Sequence, residues 1–202
     1  MKGSVSPKRL IIYLVIFIPL LCLALIVKKN ADVVETSSKL KGDGRPTVKY
    51  GMSLKEVKKL NPGKFPIRVG DMLVYKNKAL PCIEDIVKSD YKCSVTYEFG
   101  DGKLYAEHYR MTAKKNAVKN FAADYYDIQS ILTHLYGKPD GDELIWKNGA
   151  KKLSLSSYTI EDAVLSKELR LWTLWFLEDG TQINLSLEYN YDEILILISY
   201  QL

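Results

Sequence analysis

The chain has 202 residues, a formal net charge of +5 and three cysteines. Residues 1–30 hold five basic and no acidic side chains, so the rest of the chain carries 24 of each sign. A surface that follows a phosphate backbone needs a net positive face, so this balance argues against nucleic-acid binding. No Cys-X-X-Cys pair or other zinc-type spacing is present, and the sequence predicts no metal or other cofactor.

The first predicted element is the apolar segment Leu10–Val27, which has no charged residue and lies between Lys8-Arg9 and Lys28-Lys29. In a bilayer, a helix is the only structure in which a single segment satisfies the hydrogen bonds of its own backbone. The length of this segment is near the lower limit for a helix that spans the hydrocarbon core. We expect an uncleaved membrane anchor, with a signal segment cleaved near Ala24 as the alternative. Lipid modification at Cys22 is disfavoured, because no small residues precede it.

The counts of lysine and arginine on the two sides of this segment show no clear bias. The short N-terminal tail favours an N-terminus inside the cytoplasm and an exported C-terminal part. The predicted organisation is a tail over residues 1–9, the membrane or signal segment over 10–27, a polar tether over 28–49 and one globular domain over 50–202.

The globular part is predicted to open with a short helix. Ser53 with Glu56 three residues later is the pattern of a capping box, and Met52 can pack on Val57 as a hydrophobic staple. The helix is expected to end at Asn61-Pro62-Gly63, because proline and glycine interrupt helices.

A short strand is predicted over residues 72–76, and residues 93–111 are predicted to form a hairpin around Asp101-Gly102. On that register His108 lies opposite Val95, on or at the edge of the buried face. The buried face is predicted to carry Cys93, Val95, Tyr97, Phe99, Leu104 and Ala106. The wet face is predicted to carry Ser94, Thr96, Glu98 and Glu107.

A long helix is predicted over residues 117–136, because apolar residues recur there at helical spacing and Gly137 comes next. Residues 144–146 are predicted to be a short strand, and residues 148–168 show no pattern that assigns them. The last predicted strand, residues 194–200, is apolar on both faces, as a central strand would be.

Before it, strands over residues 169–177 and 181–189 flank Asp179-Gly180. A two-residue turn there predicts a buried face that holds Trp172, Leu174, Phe176, Ile183, Leu185 and Leu187. The opposite face then presents Leu171, Trp175 and Leu177 among polar residues. Apolar side chains on a polar face are typical of contact surfaces, so these three are the predicted partner-binding residues, with cover by the unassigned residues 148–168 as the alternative.

The order helix, strands and Asp-Gly hairpin occurs twice, with Phe99-Gly100-Asp101-Gly102 and residues 176–180 at corresponding points. Together with Gly51-Met52-Ser53 and Glu56-Val57, this order resembles the exported domains related to beta-lactamase inhibitory protein and to the SmpA/BamE envelope lipoproteins. The resemblance covers about residues 50–202 and implies protein–protein binding rather than catalysis. The predicted fold class is therefore α+β: an N-terminal hydrophobic helix, then an antiparallel sheet of hairpins with helices on one face, in two similar helix-plus-strands halves.

Few residues are suited to catalysis. His108 is expected to be a hydrogen-bonded structural histidine, and His134 to lie in the last turn of the long helix, where a cation interacts favourably with the helix dipole. Glu98 and Glu107 on the wet face could act as a carboxylate pair, although a solvated surface explains them equally well. Cys82 and Cys93 leave two alternatives open, a disulfide or two unrelated reduced thiols.

These observations lead to three functional hypotheses. The first is a membrane-anchored extracytoplasmic domain that binds another envelope protein and has no catalytic activity. The second is an exported inhibitor or immunity protein. The third is an envelope hydrolase that uses His108 or the pair Glu98 and Glu107.

Overall fold

The computed structural model describes residues 46, 48–61, 65–87, 90–147 and 159–202. Of these residues 44% are in strands and 25% in helices. The strands are β1 Ile67–Val69, β2 Met72–Lys76, β3 Lys92–Gly100, β4 Lys103–Lys114, β5 Gly141–Trp146, β6 Leu169–Phe176, β7 Gln182–Asn190 and β8 Glu193–Gln201. The helices are α1 Leu54–Lys59, α2 Glu84–Val87, α3 Phe121–Tyr136 and α4 Ile160–Leu165, and a 3₁₀ turn, Pro81–Ile83, precedes α2.

The eight strands form a single sheet in the order β1-β2-β3-β4-β8-β7-β6-β5. Every neighbouring pair is antiparallel. Two runs of four strands meet where β4 pairs with β8, so the C-terminal strand lies inside the sheet. The prediction of a central last strand is confirmed.

The predicted fold class is wrong. One continuous eight-stranded sheet dominates the described residues, and the helical segments are not placed alike in its two runs of strands. A helix precedes each run, α1 before β1 and α3 before β5, but the second helical segment falls between β2 and β3 in the first run and between β5 and β6 in the second. The joining of the runs depends on the pairing of β4 with β8, which no local pattern encodes.

The predicted N-terminal hydrophobic helix, Leu10–Val27, and the tail and tether beside it lie outside the described residues. Among the described helices, none has the length and apolar character needed to cross a bilayer.

The predicted start of the first helix is confirmed. The Ser53 side chain accepts from the Glu56 backbone N–H at 3.4 Å, and the Glu56 carboxylate accepts from the Ser53 N–H at 2.7 Å, so the capping box is present. The strand predicted over residues 72–76 is confirmed as β2. A second capping box, Thr159 with Asp162, begins α4 inside the stretch that showed no assignable pattern.

One apolar cluster packs between the helices and one face of the sheet, here called the helix side. Tyr97, Tyr109, Trp175 and Ile198 of the strands and Tyr125 of α3 belong to it. The opposite side of the sheet is here called the open face. Ala106, Leu174 and Leu195 are buried there but lie outside the cluster, because strand side chains alternate between the two faces.

Candidate functional site

In the last hairpin the predicted buried residues of β7, Ile183, Leu185 and Leu187, are confirmed, but the faces of β6 are the reverse of the prediction. Phe176 pairs with Gln182, so the connection spans residues 177–181 rather than the two residues Asp179-Gly180. The pairing is therefore shifted by one residue from the expected register. Since the side-chain period of a strand is two, that shift moves every side chain of β6 to the other face relative to its expected partners.

Leu171 and Trp175, two of the predicted partner-binding residues, are consequently on the helix side with 1% exposure each. The Trp175 indole N–H donates to the Gly137 carbonyl at 3.0 Å. Leu177 is partly buried against the same core. The face predicted for these side chains is wrong, and their contacts are those of packing residues.

The residues predicted to be core on β6 instead reach the open face. Phe176 is 59% exposed, Trp172 is half-buried and Leu174 is 9% exposed. The Trp172 indole N–H donates to the Asn184 side-chain oxygen at 3.2 Å, which holds the ring against the sheet. A Cβ at Gly141 would meet that ring at 3.2 Å, so Gly141 leaves the space in which it lies.

A second apolar patch lies at the other end of the open face, on β1 and β2. Ile67 pairs with Val74 and Val69 with Met72, so the four side chains lie side by side. Ile67 and Val69 are 47% and 51% exposed on the edge strand. Because β2 and β6 are separated by five strand spacings of about 4.8 Å, the two apolar patches lie roughly 24 Å apart along the sheet.

Between the patches the open face carries hydrogen-bonding side chains. The pairing places Thr96, His108, Ser199 and Asn184 in one row across β3, β4, β8 and β7. The neighbouring row across the same strands holds Glu98, Ala106, Gln201 and Gln182. No described element packs on this face, so its polar centre is flanked by two apolar ends.

His108 is the best-connected group of this centre. Its Nδ1 lies 2.8 Å from the Ser199 hydroxyl, and its Nε2 lies 3.4 Å from the Glu98 carboxylate. Burial lowers the pKa of His108, and the negative charge of Glu98 offsets part of that effect. Tyr105 donates to the same carboxylate at 2.7 Å. The expected position of His108 near the buried face is wrong, because it pairs with Thr96 and not with Val95.

Glu107 lies on the helix side, although the sequence placed it with Glu98 on a wet face. The cause is a bulge: Phe99 pairs with Leu104 but Glu98 pairs with Ala106, which leaves Tyr105 as an extra residue. Glu107 is 3% exposed, and burial raises its pKa to about 8. The predicted carboxylate pair is therefore divided between the two faces.

The remaining predicted residues are Cys82, Cys93 and His134. Cys82 is buried, Cys93 is half-buried, and both are free thiols. Burial raises the pKa of the Cys82 thiol to about 12, which makes it a poor nucleophile at neutral pH. His134 is exposed near the end of α3. Within the described ranges, no three His, Cys, Asp or Glu side chains are grouped to hold a metal ion.

No family model, curated protein or solved structure matches this chain. The resemblance to beta-lactamase inhibitory protein and the SmpA/BamE proteins therefore stays a prediction.

Proposed function

We propose that the chain is a membrane-anchored, extracytoplasmic protein-binding domain, and that the open face contacts the folded surface of another envelope protein. The observation that carries this proposal is the arrangement of the open face. Two apolar patches, one around Phe176 and one around Ile67, flank a centre of hydrogen-bonding side chains. Interfaces combine apolar anchors with polar groups in this way.

The spacing of the patches favours a folded protein over a small molecule. A standard interface covers about 800 Å² on each partner, which corresponds to a disc roughly 32 Å across. The two patches, roughly 24 Å apart, fit within one such contact. A small ligand would reach only one of them, and an extended peptide running along one strand would cross at most one.

The charges of the open face favour a partner without a strong net charge. Side-chain alternation places six basic and four acidic residues on it, so its net charge is small. They are Lys76, Lys92, Lys103, Arg110, Lys114 and Arg170 against Glu98, Glu143, Glu188 and Glu193. Glu188 lies 3.9 Å from Arg170 and 3.6 Å from Lys147, so part of this charge is already paired.

The compartment is proposed from the sequence. Leu10–Val27 has the composition of a membrane or signal segment, and the rest of the chain carries equal numbers of basic and acidic residues. A signal-like apolar segment that directly follows Lys8 and Arg9 favours retention of the N-terminus in the cytoplasm and export of the C-terminal part.

Site-specific photo-crosslinking in intact cells tests the contact. A photoreactive phenylalanine analogue replaces Phe176 in one variant, Ile67 in a second and Tyr191 in a third. Tyr191 is the control because it is 86% exposed in the turn between β7 and β8. The proposal expects the first two positions to capture the same protein and the third to capture none of it. Different products from Phe176 and Ile67, or the same product from Tyr191, would contradict it.

A hydrolase is the second candidate, because Ser199, His108 and Glu98 are linked in the order of a nucleophile, a base and an orienting carboxylate. The surrounding backbone argues against acyl transfer. Both β4 and β8 lie inside the sheet, so their N–H groups are engaged in strand pairing and are not free to stabilise an oxyanion. Ser199 is only 8% exposed, so Ser199→Ala should weaken partner capture little, whereas a hydrolase would lose its activity.

A further inference from the structure

A cavity of about 440 Å³ lies on the helix side of the sheet, away from the open face. It opens where the start of β4, the end of β8, the end of α3 and the β6–β7 connection come together. The side chains that carry its chemistry are Tyr50, Glu107, Tyr136, Asp179 and Tyr200. Apolar residues, Leu104 and Leu177 among them, complete the wall. Its size is in the range of sites for small molecules.

We propose that this cavity binds a small organic cation, an alkylammonium group that carries a short polar or apolar tail. The proposal concerns a different side of the sheet from the protein-binding surface, so either can fail without the other. It is based on the carboxyl groups, the aromatic rings and the buried hydroxyl that line the same space.

The carboxyl groups supply the negative charge. Glu107 is 3% exposed and accepts a hydrogen bond from the Tyr109 hydroxyl at 3.3 Å. Glu107 and Asp179 both act electrostatically on Tyr50, which places the two acidic groups around one ring. A cation in this space would compensate the charge of a carboxylate that burial otherwise disfavours.

The aromatic rings supply a second recognition element. The rings of Tyr136 and Tyr200 meet edge-to-face with their centroids 6.1 Å apart, and the Tyr136 hydroxyl donates to that of Tyr200 at 3.4 Å. Tyr50 also lines the cavity, and its hydroxyl is buried without a hydrogen-bond partner among the described residues. Aromatic faces grouped around a carboxyl recognise alkylated ammonium ions.

The same lining disfavours other ligands. An anion would meet Glu107 and Asp179, and Lys49, which is exposed, is the one basic side chain among the described lining residues. A purely apolar ligand would leave the buried Tyr50 hydroxyl without a hydrogen-bond partner, which costs free energy.

Saturation-transfer NMR on the full chain in maltoside micelles tests the proposal, with choline as the cation and 3,3-dimethyl-1-butanol as its neutral isostere. We expect a dissociation constant for choline at or below about 1 mM, and binding of the alcohol at least about tenfold weaker. Equal affinities for the two probes, or no saturation of choline, would overturn the proposal.

Variants locate the site. Measured at pH 9, above the Glu107 pKa of about 8, Glu107→Gln and Asp179→Asn should each weaken choline binding, Glu107→Gln by about tenfold or more, because at that pH each removes a negative charge. Glu143→Gln is the matched control, since that exposed carboxylate lies on β5. Unchanged binding in both cavity variants would contradict the proposal, and a variant that fails to fold is replaced by the comparison of the two probes on the unmodified chain.

Discussion

Glu107 and His108 are consecutive residues whose side chains lie on opposite faces of the same sheet, and burial favours the neutral form of each. On the helix side, burial raises the pKa of the Glu107 carboxyl to about 8. On the open face, burial lowers the pKa of His108. Near neutral pH the protonated carboxylic acid and the uncharged imidazole are therefore the favoured forms, so the two residues can serve unrelated roles.

The first prediction concerns the pH dependence of stability that Glu107 creates. Below pH 4.5 the carboxyl is protonated in the folded and unfolded chain, and above about pH 8 it is ionised in both. Between these values the folded chain holds a proton that the unfolded chain has lost, so stability falls as pH rises, by about 1.4 kcal/mol per unit for a fully titrating group. The free energy of unfolding from denaturant titrations at several pH values measures this slope.

Glu107→Gln should remove that slope, so the difference between the variant and the unmodified chain isolates it from the titration of His108. The described groups that face Glu107 are Tyr50 before α1, Tyr97 of β3, Tyr109 of β4, Tyr200 of β8 and Lys78 after β2. Burial raises the pKa of all four tyrosines above its ordinary value, so none of them ionises in this window. The same slope in both proteins would show that Glu107 is not buried as described.

The second prediction contrasts Trp175 with Phe176. Trp175→Ala removes a ring that is 1% exposed and its hydrogen bond to Gly137, so we expect a loss of about 3–5 kcal/mol of unfolding free energy. Phe176→Ala removes a ring that is 59% exposed and should cost less than about 1 kcal/mol. Denaturant titration of the two variants gives both values. Similar losses, or the reverse order, would restore the face assignment made from the sequence.

That comparison also shows where sequence reasoning stops. Capping residues such as Ser53 and Glu56 act within one turn, so α1 was predictable from its own sequence. The faces of β3 and β7 were also predictable from alternation, but those of β4 beyond the bulge and of β6 were not, because each depends on one residue near the turn. Nothing in the sequence around Tyr105 indicates a bulge. The pair Asp179-Gly180 fits a two-residue turn as well as the longer connection that is present.

The hydrophobicity of the side chains could not have corrected the face assignment of β6. The open face of β6 carries Trp172, Leu174 and Phe176, which are as apolar as Leu171 and Trp175 on the buried face. Either register therefore buries a similar apolar set, and the choice depends on contacts distant in sequence, such as the hydrogen bond between Thr173 of β6 and Tyr125 of α3. The cavity was not predicted either, because Glu107 lies on the helix side only when the bulge at Tyr105 is counted.

The third prediction concerns topology. If Leu10–Val27 anchors the chain with its N-terminus inside, protease added outside intact cells or spheroplasts should digest the part beyond Lys29 and spare a cytoplasmic marker. A tag fused before Met1 should survive the same treatment, which serves as the internal control. Protection of the C-terminal part until the membrane is dissolved would place it in the cytoplasm and contradict the proposed compartment.

The most direct measurement of the central claim is the dissociation constant of the crosslinked partner for the full chain in detergent, compared between Phe176→Ala and Tyr191→Asn. Asparagine suits position 191 because the backbone there has a φ of 48°. If the open face is the binding surface, Phe176→Ala should weaken binding by about tenfold or more, equivalent to about 1.4 kcal/mol, and Tyr191→Asn should leave it unchanged. Equal affinity in both variants, or a loss confined to Tyr191→Asn, would contradict the claim.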